Sequence, residues 1–157
     1  GITSGTAVAS TSGTSIDFTS IPSWVKRITV MFSGVSTSGT SFITLRLGSS
    51  GIVVTGYVGN VTQLVSGVAI SSGAYTDGFY TWNSGWSASY SLYGLFVLTK
   101  ISGNTWVASG NGGLSGGNAA MLSNGSISLA GSLDTVRVCT YNGTDTFDAG
   151  SINILYE

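Results

Sequence analysis

The 157-residue chain contains no histidine, one cysteine and one proline. A single cysteine excludes an intrachain disulfide, and Cys139 lies in the apolar run 136–139, which is typical of a small buried hydrophobic residue. A nucleophilic cysteine usually works with a histidine partner, and the chain has none. We predict that the protein is not an enzyme and that it uses no metal and no cofactor.

Charge is also scarce. Charged residues make up 7% of the chain, five basic and six acidic, which gives a net charge of −1. An ordinary soluble domain has about 25%. Without a clustered basic surface, neither nucleic acid nor an anionic membrane is an expected partner. No apolar run approaches the roughly 18 residues of a membrane helix, so we expect no membrane insertion. Weak self-repulsion favours association, and we predict an oligomer.

Strand signals are plentiful, and the clearest occupy residues 15–36. Ile16 and Phe18 alternate with polar neighbours, the period-2 pattern of a half-buried strand. Pro22 then turns the chain, because proline fixes φ and lacks the N–H that a sheet requires. A longer strand is predicted over 25–35, and Gly34 indicates a bulge or bend near its end.

No segment shows the 3.6-residue period of a helix, and many short apolar stretches alternate with turn residues. Residues 90–101 are apolar on both faces, as in a central strand that is also covered by a neighbouring subunit. Turns are predicted at 102–104, Asn124–Gly125 and Asn142–Gly143, and a glycine-rich loop at 111–118. The other predicted strands are 42–47, 52–58, 61–65, 68–70, 79–82, 105–109, 119–122, 127–130, 135–141 and 151–156.

These patterns predict an all-β protein with the antiparallel, jelly-roll-like architecture of a β-sandwich. One domain is expected over residues 15–157. Residues 1–14 are small and polar and are expected to lead in from an upstream region, so that the chain is the last domain of a longer protein.

Both ends of the chain resemble a known family. The stretch TSIDFTSIPSWVKRITVMFSGVSTSGTSF (14–42), the pair Gly56–Tyr57 and the segment FDAGSINILYE (147–157) look like the C-terminal β-sandwich domain of tail fibres and related virion appendages of tailed bacteriophages and prophages. The resemblance covers about 40 residues of framework. It implies a homotrimeric, receptor-facing domain on the virion, outside the cell, joined to the upstream part of a fibre. It carries over no catalytic residue.

The middle of the chain holds the candidate binding residues. A sugar ring presents a C–H face to a flat aromatic surface and its hydroxyls to Asp and Asn side chains. Residues 75–93 offer both kinds of group. We therefore predict a receptor-binding domain that contacts a bacterial surface polysaccharide or lipopolysaccharide here, with at least one of Trp82 and Trp86 exposed. The predicted binding residues are Tyr75, Asp77, Tyr80, Trp82, Asn83 and Trp86.

Two alternatives stay open. The aromatic residues suit a core or a trimer interface equally well, which would make the chain a structural, decoration or trimerisation domain with no ligand. A polysaccharide depolymerase is less favoured, because it needs two opposed carboxylates and most of the six acids lie in predicted turns or framework. Asp145 and Asp148 fit a surface turn better than a calcium site, which takes about six to eight oxygen ligands.

Overall fold

The computed structural model describes residues 1–66 and 69–157, so residue 68 of the predicted strand 68–70 lies outside the described residues. Within these ranges the chain forms thirteen strands and no helix, which confirms the all-β class. No described helix is therefore long and apolar enough to cross a membrane. The strands are β1 (Thr3–Ser4), β2 (Val8–Ala9), β3 (Ser15–Phe18), β4 (Arg27–Thr37), β5 (Ile43–Gly48), β6 (Val58–Val65), β7 (Ala69–Tyr75), β8 (Phe79–Tyr80), β9 (Ser91–Ser102), β10 (Thr105–Ser115), β11 (Ala119–Ser128), β12 (Thr135–Thr140) and β13 (Phe147–Tyr156).

The strands form two antiparallel sheets. The large sheet has nine strands in the order β1-β13-β4-β9-β10-β11-β6-β7, with β2 also paired to β13. The small sheet has four, in the order β3-β12-β5-β8. Phe96 of the large sheet and Leu45 of the small sheet belong to one buried cluster, and both are fully buried. This arrangement is consistent with the predicted β-sandwich.

The stretch 15–36 contributes one strand to each sheet. Strand β3 belongs to the small sheet, and β4 belongs to the large sheet but begins at Arg27, two residues later than predicted. The predicted bulge at Gly34 is confirmed, since the pairing of β4 with β9 shifts between Ser33 and Val35. Gly34 has φ = +67°, a left-handed conformation that glycine adopts without steric cost.

Strand β9 is central in the large sheet, between β4 and β10. Its side chains alternate: Leu92 and Phe96 are fully buried, whereas Tyr93 and Leu95 are about half exposed. One chain therefore covers only one face of β9. Burial of the second face by a neighbouring subunit stays a prediction.

Strands β10 and β11 form a longer hairpin than the sequence predicts. The glycine-rich residues 112–113 pair with β11, and the chain turns only at 116–118. Asn124–Gly125 lies inside β11, so the predicted turn there is wrong. A side chain on Gly125 would meet the backbone of Val58 and the ring of Phe79, so this glycine allows close packing instead of a turn. The predicted turns at Gly103 and Asn142–Gly143 are confirmed, with φ = +52° and +69° at the two glycines.

Part of the expected lead-in segment joins the large sheet. Thr3 and Ser4 pair with Tyr156 and Leu155, and strand β2 pairs with Ile152 and Ser151 further along β13.

Candidate functional site

Three of the predicted sugar-binding rings lie in the core. Trp82 is 1% exposed, Trp86 4% and Tyr75 3%. The expectation that one of the two tryptophans is exposed is therefore wrong. Stacking on a sugar requires a ring face that solvent can reach, and these rings are covered by the protein. They fill the space between the sheets because an aromatic side chain buries more apolar area there than any other residue type.

The buried aromatic groups are also fixed by polar contacts. The Trp86 Nε1–H donates to Thr37 Oγ1 at 3.1 Å, and the Tyr75 hydroxyl donates to the Asn124 carbonyl at 2.8 Å. Burial raises the pKa of Tyr75 to about 12. The Trp82 Nε1–H has no hydrogen-bond partner among the described residues. These contacts indicate a structural role for the segment.

Asn83 ties its loop to the end of the large sheet. Its Nδ2–H donates to Ser71 Oγ at 2.6 Å, and its backbone N–H donates to Gln63 Oε1 at 3.0 Å. The same Gln63 oxygen accepts the Ser84 N–H at 3.1 Å, and Gln63 Nε2 donates to the Ser84 carbonyl at 3.0 Å. The polar atoms of Asn83 therefore hold the loop in position.

Two predicted residues, Asp77 and Tyr80, do meet at the surface. The Tyr80 hydroxyl donates to Asp77 Oδ1 at 2.5 Å, and the Tyr141 hydroxyl donates to Asp77 Oδ2 at 2.7 Å. The Arg46 Nε–H donates to the Asp77 carbonyl at 2.8 Å. We call Asp77, Tyr80, Tyr141 and Arg46 the Asp77 cluster. Tyr141 is 38% exposed, and its ring stacks on that of Phe42 at 4.7 Å.

The Asp77 cluster shifts two pKa values in opposite directions. Burial alone would raise the pKa of the Asp77 carboxyl, but the hydrogen bonds from Tyr80 and Tyr141, with the charge of Arg46, together lower it below its ordinary value. Burial and the neighbouring Asp77 carboxylate raise the pKa of Tyr80. Because the polar atoms of the cluster bond mainly to one another, the cluster is already satisfied without a ligand.

Sequence reasoning missed Tyr141 and Arg46. Tyr141 lies 64 positions from Asp77, and Arg46 lies 31 positions away. Only the pairing of β5 with β12 and β8 brings them together, and no local pattern encodes that pairing.

The large sheet has an outer face, turned away from the small sheet, that carries few charged residues. Strands β6, β7, β10 and β11 contain no charged residue, and β9 contains one, Lys100. One row of paired residues crosses this face as Met31, Leu95, Asn111, Leu122, Thr62 and Ser72. Among the residues that the structure describes, its exposed large apolar side chains are Val58, Leu64, Ile70, Tyr93, Leu95, Ile101, Val107 and Leu122. The composition predicted few charged residues overall. It did not predict that the outer face of the large sheet would hold so few of them.

Trp24 is the one tryptophan with an open ring. It is 56% exposed and lies in the turn before β4, where its ring is tilted against Tyr156 at a centroid distance of 5.8 Å. It borders a cleft of about 420 Å³ that Lys26 and Lys100 also line. Its position beside Pro22 and two basic residues is a sequence signal that could have found it.

No protein-family model, no curated protein and no solved structure matches the chain. Among the described residues, no three or more Cys, Asp or Glu side chains are grouped to hold a metal ion. Asp145 lies in a turn, where its Oδ2 accepts the backbone N–H of Ser41 at 2.9 Å.

Proposed function

We propose that the chain is a non-catalytic β domain of a bacteriophage virion appendage, located outside the cell, whose main role is to assemble with two further copies of itself. The outer face of the large sheet is the observation that carries this proposal. The number of copies and the virion location rest on the family resemblance of the two ends of the chain.

The chemistry of this face favours a second copy over a charged partner. Isolated exposed apolar residues are ordinary on a protein surface, but a contiguous apolar patch is typical of an interaction site. Leu95 and Leu122 lie in one row of an otherwise hydroxyl- and amide-rich surface. A face with so little charge offers little to attract a charged partner and does not strongly repel a copy of itself.

The size of the face is also adequate. Seven strands, from β13 to β7, at about 4.8 Å spacing and each at least 7 residues long at about 3.3 Å per residue, make a surface of roughly 800 Å² or more. A stable interface buries about 800 Å² on each partner. The face is therefore large enough to hold copies together without help from other surfaces.

We further propose a jelly-roll topology. Each strand of the small sheet is followed along the chain by a strand of the large sheet, in the steps β3 to β4, β5 to β6, β8 to β9 and β12 to β13. This alternation between two sheets is typical of Greek-key double sheets. The hairpins β6–β7 and β10–β11 extend the large sheet beyond that framework.

Light scattering coupled to size-exclusion chromatography tests the assembly. One chain has a mass of 16.0 kDa, so a trimer has 3 × 16.0 = 48 kDa. Leu95→Glu and Leu122→Glu each place a charge on the proposed interface, and we expect both to elute as monomers. Val54→Glu is the matched control, because Val54 is 49% exposed, close to the 47% of Leu95 and Leu122, but lies outside the strands. A wild-type mass of 16 kDa at high concentration would refute self-assembly.

A second role, attachment of the virion to a bacterial surface glycan, is favoured by one observation. Three tryptophans are buried, but Trp24 keeps an open ring beside a cleft. Recognition of a sugar needs such a ring with polar groups next to it. Binding of surface glycans to wild-type protein and to Trp24→Ala, compared on the same array, tests this role.

A further inference from the structure

We propose that the cleft beside Trp24 binds an acidic saccharide, a uronic or ulosonic acid unit of a bacterial surface polysaccharide. We call it the basic cleft; it is lined by Ser23, Trp24, Lys26, Lys100, Ile101 and Ser102. The inference rests on the attachment role proposed above and names its ligand class and its residues. It does not depend on self-assembly.

The cleft is built on hydrogen-bonded backbone at one end of the large sheet. The Val25 N–H donates to the Pro22 carbonyl at 3.1 Å and closes the turn that carries Trp24. The Lys26 N–H donates to the Glu157 carbonyl at 2.8 Å, and the Lys100 N–H donates to the Lys26 carbonyl at 2.8 Å. These bonds fix the backbone at both lysines relative to the turn that carries Trp24, so little backbone ordering is needed when a ligand binds.

The charges around the cleft are unbalanced in favour of cations. Of the five basic residues, Lys26, Arg27 and Lys100 lie at this end and line the basic cleft or the smaller cleft of about 330 Å³ beside it. The side-chain carboxylate of Glu157, which lies at this end, is paired with Arg27. The two ion pairs among the described residues involve neither lysine. Lys26 and Lys100 therefore line the cleft without an ion-pair partner among the described residues.

The combination of groups selects the ligand class. The exposed ring of Trp24 supplies the flat apolar surface on which the C–H face of a pyranose stacks. Lys26 and Lys100 supply charge for a carboxylate, and the hydroxyls of Ser23 and Ser102 supply partners for sugar hydroxyls. A neutral sugar needs no cation, and a nucleic acid needs a longer basic track than three residues provide. A volume of about 420 Å³ is within the range of small-ligand sites.

Calorimetric titration with defined saccharides tests the inference on the full chain. The acidic probes are trigalacturonate and the α2,8-linked trimer of N-acetylneuraminic acid, and the neutral control is trigalacturonate with its carboxyl groups reduced to alcohols. We expect at least one acidic probe to bind and the neutral control to bind at least about tenfold more weakly. Raising the ionic strength from about 0.02 M to about 0.3 M weakens the acidic binding several-fold, because the lysines are solvent-accessible.

Variants locate the site. We expect Trp24→Ala to lower the affinity at least about tenfold and Trp24→Phe to retain part of it, since phenylalanine keeps a smaller ring face. Lys26→Gln and Lys100→Gln each lower the affinity several-fold and together abolish it. Arg46→Gln, which removes the same charge on the small sheet, and Val54→Ala, which trims another exposed side chain, leave it unchanged. Intrinsic fluorescence gives a second readout, because Trp24 alone among the four tryptophans is exposed to a ligand.

Three outcomes would overturn the inference in distinguishable ways. Equal binding of the acidic and reduced trisaccharides refutes the acidic ligand class and leaves attachment standing. Unchanged affinity in folded Trp24→Ala refutes the location. If neither probes nor surface glycans bind wild-type protein, both the inference and the attachment role fail, while the mass measurement still decides self-assembly.

Discussion

The outer face of the small sheet is charged and internally bonded, whereas the outer face of the large sheet is almost without charge and carries exposed apolar side chains. On the small sheet, Arg137 forms two hydrogen bonds to the Asp17 carboxylate, at 2.8 and 2.9 Å, and Asp77 accepts from two tyrosine hydroxyls. On the large sheet, Leu95 and Leu122 are each 47% exposed. The polar groups on the outer face of the small sheet bond to one another within the chain. The outer face of the large sheet leaves apolar side chains exposed, where a partner could cover them.

The largest expected difference between the faces concerns single side-chain deletions. Asp77→Ala leaves the hydroxyls of Tyr80 and Tyr141 without their acceptor, and we expect it to lower the free energy of unfolding by about 2 kcal/mol. Asn111→Ala removes an exposed side chain of the large sheet, and we expect a change below about 0.5 kcal/mol. Urea denaturation at one protein concentration measures both. A loss below about 0.5 kcal/mol in Asp77→Ala as well would show that the Asp77 cluster adds nothing to stability.

A pH dependence should arise from the same cluster. The folded-state pKa of Asp77 is lowered, so its contribution to stability is present above the unfolded value of about 3.9 and is lost as the pH falls through the folded pKa. The folded-state pKa of Tyr80 is raised, so its contribution is present below about pH 10 and is lost as the pH rises further. We expect the melting temperature to fall at both extremes.

The variant Asp77→Asn separates the acid limb from the alkaline limb of the plot of melting temperature against pH. It should flatten the acid limb and leave most of the alkaline limb, because burial also raises the pKa values of Tyr57 and Tyr75 to about 12. Melting curves from pH 2 to 6 and from pH 9 to 12, read for wild type and variant, give the comparison. An acid limb of the same slope in Asp77→Asn would assign the acid sensitivity to other carboxylates.

A small effect is expected from loss of the ion pair between Asp17 and Arg137. Both side chains are about one-third exposed, so solvent screens the pair, and we expect Arg137→Gln to cost less than about 1 kcal/mol. The loss should shrink further at high salt. Leu122→Ser, on the other face, should leave the unfolding free energy of the monomer unchanged while shifting the association equilibrium. A change in oligomer mass in Arg137→Gln would contradict the assignment of association to the outer face of the large sheet alone.

Local sequence patterns predicted the positions of the strands better than they predicted which side chains lie at the surface. Alternation of Ile16 and Phe18 gives β3, and the bulge at Gly34 follows from a glycine near the end of a long strand. Asn124–Gly125 shows the limit, because its turn chemistry is overridden by pairing with β6 and β10 across a ten-residue strand. The preference of Asn-Gly for a turn contributes less free energy than the backbone hydrogen bonds that pair β11 with its two neighbours.

The candidate site was harder to predict for a physical reason. Trp82 and Trp86 have the same local chemistry whether they face solvent or core, since a large ring suits both. Their burial depends on how the loop 81–90 folds against the core, which no short pattern records. The Asp77 cluster joins residues up to 95 positions apart, because Arg46 lies in β5 and Tyr141 directly follows β12. Trp24 has a local signal, a tryptophan between a proline and two cations.

The position of β13 has a consequence for biosynthesis. This strand lies between β4 and the short strands β1 and β2. Residues near the beginning of the chain therefore pair with residues about 150 positions later. While a nascent chain emerges from the ribosome, the edges of β4 and β1 remain open until Phe147–Tyr156 has been synthesised. Such long-range pairing slows folding and exposes unpaired edges to aggregation. We therefore expect this domain to fold after translation of β13 and to benefit from a chaperone until then.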